Sequence, residues 1–218
     1  MAEVAIITRC LNRLEYTTQV VNAVKNNSTV PYEHIIIDQA STDGTQEWFA
    51  WMKDNTNWFD LRYVRMSVNV GDWKGMCQGL KYISPDSRYV VQLDNDIIPE
   101  KGWLAAMIYV LENTDYKVVM LKRDNVKWVL KPLSPKQMMP NGVEICKVER
   151  GVACFMARTE LFHELAAKVK NPGRSKYEIR RIVKGRIAKN LNKKCIEIEA
   201  PYQRKKYSPK NPQVWEKL

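Results

Sequence analysis

Four short apolar runs punctuate the first hundred residues, and each stops abruptly at a polar or glycine-bearing cluster. Val4–Ile7 runs into Thr8-Arg9-Cys10-Leu11-Asn12-Arg13, and His34–Ile37 stops at Asp38. Leu61–Met66 precedes Asn69-Val70-Gly71, and the run from Tyr89 ends in Asp94-Asn95-Asp96. Between these runs the apolar residues fall at helical spacing. Val20, Val21 and Val24 lead to Asn26-Asn27; Trp48, Phe49 and Met52 follow the Ser41-Thr42-Asp43-Gly44 turn; Gly75, Gly79, Leu80 and Ile83 follow Gly71. Strands alternating with helices imply a parallel sheet with right-handed crossovers. Such a sheet brings all four clusters to one edge, where the carboxyl ends of the strands hold ligands.

The fourth cluster carries the most chemistry. Two carboxylates one residue apart at a strand end suit a hard divalent cation, which takes oxygen ligands and shares them with substrate phosphates. An acidic turn would look the same in isolation. Four ordered clusters on one predicted edge make the ligand reading the stronger one.

Composition narrows the setting. A chain of 218 residues with 45% apolar content can bury a full core, and the pattern predicts a single α/β domain over 1–218. Within it, residues 1–105 carry the four clusters. No apolar run approaches the ~20 residues that span a bilayer. Cys10, Cys77, Cys146, Cys154 and Cys195 lack paired spacing, so neither a disulfide framework nor a zinc site is indicated, and a reducing cytoplasm is the expected home. The net charge of +11 is concentrated: residues 168–210 hold 15 Lys/Arg against three acids, while residues 1–167 are nearly balanced. That asymmetry points to an anionic partner, nucleic acid or membrane surface.

Beyond Pro99 the spacing predicts a helix over Gly102–Leu111 and strands over Tyr116–Leu121 and Val126–Leu130. Pro132, Pro135 and Pro140 mark a loop. Val152–Ala157 reads as a strand, followed by a helix through Leu161, Leu165 and Val169. Ile179, Ile182, Val183, Ile187 and Leu191 predict a helix with Arg180, Arg181, Lys184 and Lys189 on its other faces. Cys195–Glu199 reads as a last strand.

With these motifs in place, the chain resembles the family-2 nucleotide-sugar glycosyltransferases of GT-A fold. Val4–Arg13 is similar to the family's opening strand in a Thr-Arg-x-x-Asn-Arg variant. Ile35–Thr45 matches the second-strand motif ending in Ser-Thr-Asp-Gly-Thr, and Asn69-Val70-Gly71 with Gly75 and Gly79 matches the Asn-x-Gly helix start. Gln92–Pro99 with Gly102-Trp103-Leu104 matches the metal-binding segment and the helix after it. The match covers about the first 105 residues. It implies a Rossmann-like, mostly parallel sheet flanked by helices, here with a basic helical C-terminal segment. In such a fold residues 1–105 would form the nucleotide-sugar-binding half and 106–218 the acceptor side.

The resemblance also implies roles. Asp38 would accept a hydrogen bond from a uracil imide, and Thr8, Arg9 and Asn12 would line the nucleoside pocket. Gly71 and Gly75 would let the nucleotide approach the backbone. Asp94, with Asn95, would face the ribose or a metal-bound water, and Asp96 would ligate Mn²⁺ or Mg²⁺ directly. Gln39 and Ala40 depart from the residues common after the second strand. The late histidine ligand of the family has no counterpart, which leaves Glu199 or Gln203 as substitutes.

An inverting transfer needs a carboxylate beside the acceptor hydroxyl. The family's spacing from a late-strand glycine, here Gly151, picks Glu178, with Glu149 as the alternative. Arg180, Arg181 and Lys184 would bind the acceptor. DNA with hydroxymethylated bases accounts best for the basic segment, whose Lys and Arg would neutralise phosphates. A saccharide or lipid-linked saccharide, or a protein, remains open as acceptor. Two other classes explain less. A non-catalytic nucleic-acid-binding protein leaves the four motifs without a purpose, and a nucleotidyltransferase would want a glycine in the loop after the first strand.

Overall fold

The computed structural model describes residues 2–58, 60–123, 132–148, 154–170, 175–184, 186–197, 202–204 and 215–217. The four expected strands form as β1 (Val4–Cys10), β2 (Tyr32–Asp38), β3 (Leu61–Arg65) and β4 (Tyr89–Asp94). They alternate with helices α1 (Leu14–Asn27), α2 (Thr45–Asn55) and α3 (Asp72–Gly79). The strands pair in parallel in the order β3-β2-β1-β4. All seven residues of β1 are buried, because a parallel sheet carries helices on both faces. That explains why its sequence is apolar without alternating.

The sheet continues past β4 by a route the sequence does not show. β5 (Ile97–Pro99), α4 (Trp103–Asn113) and β6 (Val118–Arg123) follow, then β7 (Gln137–Met138), β8 (Glu144–Lys147) and β9 (Cys154–Arg158). β9 runs antiparallel between β4 and β6. After α5 (Thr159–Lys168) and α6 (Ser175–Ile182), β10 (Ile187–Glu197) lies parallel to β6 and antiparallel to both β8 and β5. β11 (Tyr202–Arg204) and β12 (Trp215–Lys217) make a separate two-stranded pair. The result is a mixed sheet in which β1 to β4, β6 and β10 all run one way.

The predicted helix through Leu191 is corrected here. α6 stops at Ile182, the chain turns through Lys184 at φ 52°, and Ile187 opens a strand. Short apolar spacings fit helix and strand alike. Pairing with β6 on one side and β8 on the other decides for strand. Lys189 consequently sits in the sheet and is only 5% exposed. The proline-marked loop holds β7 and β8. The strand expected at 126–130 lies outside the described residues.

Candidate active site

Strand pleating sorts the first motif into two sets. Successive residues face opposite sides of a sheet, so Thr8 and Cys10 share a face with His34, Ile36 and Asp38, whereas Arg9 faces α3. Thr8 is fully buried and its hydroxyl bonds His34 Nε2 at 2.9 Å. Burial lowers the His34 pKa to about 3, so the ring is neutral. Thr8 therefore does not line the polar cavity at the strand ends.

Asp38 is also fully buried, with both carboxylate oxygens engaged. Oδ1 accepts from the Ser41 amide at 2.9 Å, and Oδ2 accepts from the Tyr63 hydroxyl and from Arg65 Nη1 at 2.6 Å. The Arg65 guanidinium also donates to the Ser41 carbonyl at 2.9 Å. Burial and the Asp38 bond push the Tyr63 phenol well up, and burial beside Asp38 does the same for the Cys10 thiol. Both stay protonated. A nucleobase could reach Asp38 only by displacing one of these partners, whereas Arg65, a third exposed, already faces out.

The cavity itself has a volume of about 170 Å³ and is walled by Arg9, Arg13, Gln39, Asn69, Gly71 and the Asp94–Asp96 turn, among others. A larger groove of about 690 Å³, lined by Phe49, Trp58 and Tyr63, opens at the β3 edge, away from these carboxylates. Volume alone does not mark the chemistry. In the polar cavity Gln39 occupies the place expected of Asp38. Its amide oxygen accepts from the Val70 amide at 3.0 Å, tying the β2 end to the loop before α3. Gly71 caps α3 at φ 84°, ψ 171°, a conformation open to glycine alone, and nothing would stand within 4 Å of a Cβ there. Gly75 leaves room for its neighbours: a Cβ would come within 3.3 Å of Arg9 Cδ and of Gln39 Oε1.

The turn after β4 is held from α1. The Asn95 amide donates to Thr17 Oγ1 at 3.0 Å, which turns this side chain inward and leaves the flanking carboxylates facing the cavity. Asp94 pairs with Arg9 Nη2, and Asp96 Oδ2 pairs with Arg13 Nη2 at 3.0 Å. Both arginines are nearly buried, with side chains 7% and 4% exposed. Arg13 belongs to no expected role in the sequence reading. Its partner could be recognised only after β1 and β4 were placed side by side.

Asn12 and Arg13 are consecutive non-glycine residues in left-handed conformation, at φ 56° and 64°. Such geometry costs about 1–3 kcal/mol per residue and persists where its surroundings over-determine it. Here they do. The Asn12 amide donates to Ser41 Oγ, Asn12 Oδ1 accepts from the Thr42 amide, and the Leu14 amide donates to Asp43 Oδ2, each at 2.7 Å. Asp43 also takes the Thr45 hydroxyl at 2.6 Å at the start of α2. The Ser-Thr-Asp-Gly-Thr motif thus locks two loops together, and Asn12 spends its side chain on that lock.

The two carboxylates offer the oxygen donors a hard cation takes, and Arg13 engages one oxygen of Asp96. They fit Mn²⁺ or Mg²⁺ shared with a diphosphate better than a cation held by protein alone: among the described residues no group of three His, Cys, Asp or Glu is poised for a metal. Glu199 and the side chain of Gln203 lie outside the described residues. Glu178 stands on α6, where its Oε2 accepts from the Lys170 amide at 2.8 Å; it is not part of the cavity wall. Glu149 lies outside the described residues. Arg181 and Lys184 are exposed at the end of α6, and the Arg180 side chain is not among those described.

A parallel α/β half that gathers an acidic turn and basic side chains at its strand ends, continued by a mixed sheet, is a fold of GT-A type. Residues 5–174 match the profile of glycosyl transferase family 2, and the chain belongs to that family. The abequosyltransferase RfbV of Salmonella typhimurium is 30% identical over 95 residues, 41% of this chain and 28% of that protein. The crystal structure of S. aureus TarS 1-349 in complex with UDP-GlcNAc superposes with a TM-score of 0.67 at 16% identity, over 92% of this chain and 60% of that one. TarS in a longer form gives 0.64 at 17%, over 92% and 37%. This chain therefore spans less than two thirds of the length of these proteins. No helix among the described residues is long and apolar enough to cross a membrane.

Proposed function

We propose that this chain transfers a sugar from a nucleotide sugar, a UDP-sugar in the first instance, to an acceptor hydroxyl with inversion at the anomeric carbon. The observation that carries the reading is the convergence of Arg9, Gln39, Gly71 and the Asp94–Asp96 turn on one polar cavity at the strand ends. Family membership supports it, and the UDP-GlcNAc complex of a protein with this fold supports the donor. Asp94 and Asp96 would hold Mn²⁺ or Mg²⁺, which when bound offsets charge building on the departing diphosphate. Arg9 and Arg13 bring further positive charge to the same place, and Gly71 leaves the backbone open to the phosphates. Glu178 is the proposed acceptor-side base, on spacing alone.

A saccharide hydroxyl is the acceptor we favour; the abequosyltransferase relative supports sugar transfer by a name that gives the sugar moved, not the group that receives it. A DNA acceptor rests on the basic segment 168–210. Lys189 leaves that surface for the sheet, and the remaining charge need not follow one helix face. Incubation with a panel of nucleotide sugars should release nucleoside diphosphate from a UDP-sugar above all. Release from none of the panel would remove the assignment. Duplex DNA binding that falls steeply between roughly 50 and 200 mM salt would restore the nucleic-acid acceptor.

A further inference from the structure

Arg9 and Arg13 each reach the acidic turn from the β1–α1 junction, and each closes on a different carboxylate. We propose that the two guanidiniums are placeholders: they hold Asp94 and Asp96 until a divalent cation and the donor diphosphate arrive together, and then pass to the diphosphate. The proposal rests on the nucleotide-sugar reading above and concerns the order in which that site fills.

Both arginines are built in. Arg9 runs past Gly75, donates from Nη1 to the Asp72 carbonyl at 2.9 Å, and keeps a buried Nε with no hydrogen-bond partner. Arg13 stacks its guanidinium over the Tyr16 ring, 4.7 Å from the centroid. Neither can swing into solvent when its carboxylate is taken.

Charge then dictates the sequence of events. Arg9 and Arg13 pair one to one with Asp94 and Asp96, and the exposed Asp72 at the start of α3 adds a third carboxylate to the cavity wall. A dication entering alone takes the paired carboxylates and leaves two nearly buried guanidiniums facing it, the costly outcome for a broken buried pair. A diphosphate entering alone meets three carboxylates. When both enter, the carboxylates ligate the cation and phosphate oxygens bond the guanidiniums, including the spare Arg9 Nε, so no group loses a partner. Guanidinium bonds phosphate as well as it bonds carboxylate, so the exchange conserves hydrogen bonds as well as charge. Metal and nucleotide must therefore bind cooperatively, each raising the affinity of the other by the same factor.

The test is Mn²⁺ binding to the full chain, followed by the electron paramagnetic resonance of free Mn²⁺, with and without UDP. Wild type should bind Mn²⁺ weakly alone and about tenfold or more tightly with UDP, within the usual range of coupling. Arg13→Gln should bind Mn²⁺ about tenfold more tightly than wild type in the absence of nucleotide, with a smaller UDP effect. Equal nucleotide-free affinities in the two proteins overturn the proposal. That comparison contains no nucleotide, so it stands even if UDP binds neither protein, a result that would instead remove the UDP-donor reading. Should Arg13→Gln fail to fold, NMR of arginine-labelled wild type decides. Mg²⁺ alone should leave the Arg9 and Arg13 guanidinium signals in place, and Mg²⁺ with UDP should move them. Signals that move with Mg²⁺ alone, or that stay in place while the UDP phosphorus resonances report binding, overturn it.

Discussion

From β1 to β4 each strand leads to the next through one helix, β1–β2 and β2–β3 are neighbours in both sequence and sheet, and only β4 returns to the far side of β1; the loops are laced to one another by short polar bonds. From β5 onward most neighbours are far apart in sequence: Pro99 pairs with Cys195, and β9 slides between β4 and β6. The first region can be assembled from local rules of connection and handedness. The second is decided by which distant edges fit, a choice that hydrophobic spacing does not encode. The proposed donor chemistry lies in the region built by local rules, and the proposed acceptor chemistry in the other. Variants can break that division of labour or sharpen it.

The largest effect should come from Asp96→Ala. Loss of the cation's charge stabilisation is worth several kcal/mol, on the order of 10⁴-fold in turnover. Circular dichroism should still report a folded protein, and full activity would detach the chemistry from the β4 turn. Glu178→Gln asks whether α6 contributes the base, and the chemical step should slow by about 10²–10⁴-fold. If that variant turns over normally while Glu149→Gln is dead, the base belongs to the segment before β9. Product NMR showing a retained anomeric configuration would remove the need for either.

Asp38→Asn addresses a place where sequence pattern and burial pull apart. As a buried acceptor for Tyr63, Arg65 and the Ser41 amide, Asp38 should contribute about 1–3 kcal/mol of stability and little to donor KM. A raised KM with an unchanged Tm would mean instead that it opens to the nucleobase. Near neutral pH the smallest effect is the pH dependence from His34, which grows only on acidification. Its folded pKa, about 3, lies below the usual value near 6.5 of an unfolded chain. The unfolded protein thus takes up a proton that the folded one refuses, and stability should fall as pH drops below about 6.5. The slope is at most about 1.4 kcal/mol per pH unit and continues toward pH 3. Melting curves of His34→Gln should lack that component; an identical slope in the variant would assign it elsewhere.

Legibility followed the same divide. The strand ends at Asp38, Arg65 and Asp94 lie within a residue or two of where periodicity puts them, because a buried strand must be apolar and its end must not be. The roles at those ends were harder to read. Thr8 and Arg9 are adjacent in sequence yet face opposite sides of the sheet, and of the two only Arg9 lines the polar cavity while Thr8 is buried against His34. Asn12 reads as a ligand residue and instead locks the Ser41–Thr45 turn. Arg13 closes the first motif but takes no role from it, since an arginine before a helix is ordinary until its carboxylate partner is known.

The alternation of apolar runs and helical spacing by itself determined the parallel α/β half, its ligand-bearing edge and the acidic turn, because burial and chain connection act over short separations. Tertiary structure alone decided that Ile187–Glu197 is a strand, that Asp38 turns inward, and that two arginines sit on the two carboxylates. Each of those depends on partners 25 or more residues away. A backbone segment with two open neighbours, or a charge with no water, takes its conformation from what surrounds it rather than from its own sequence.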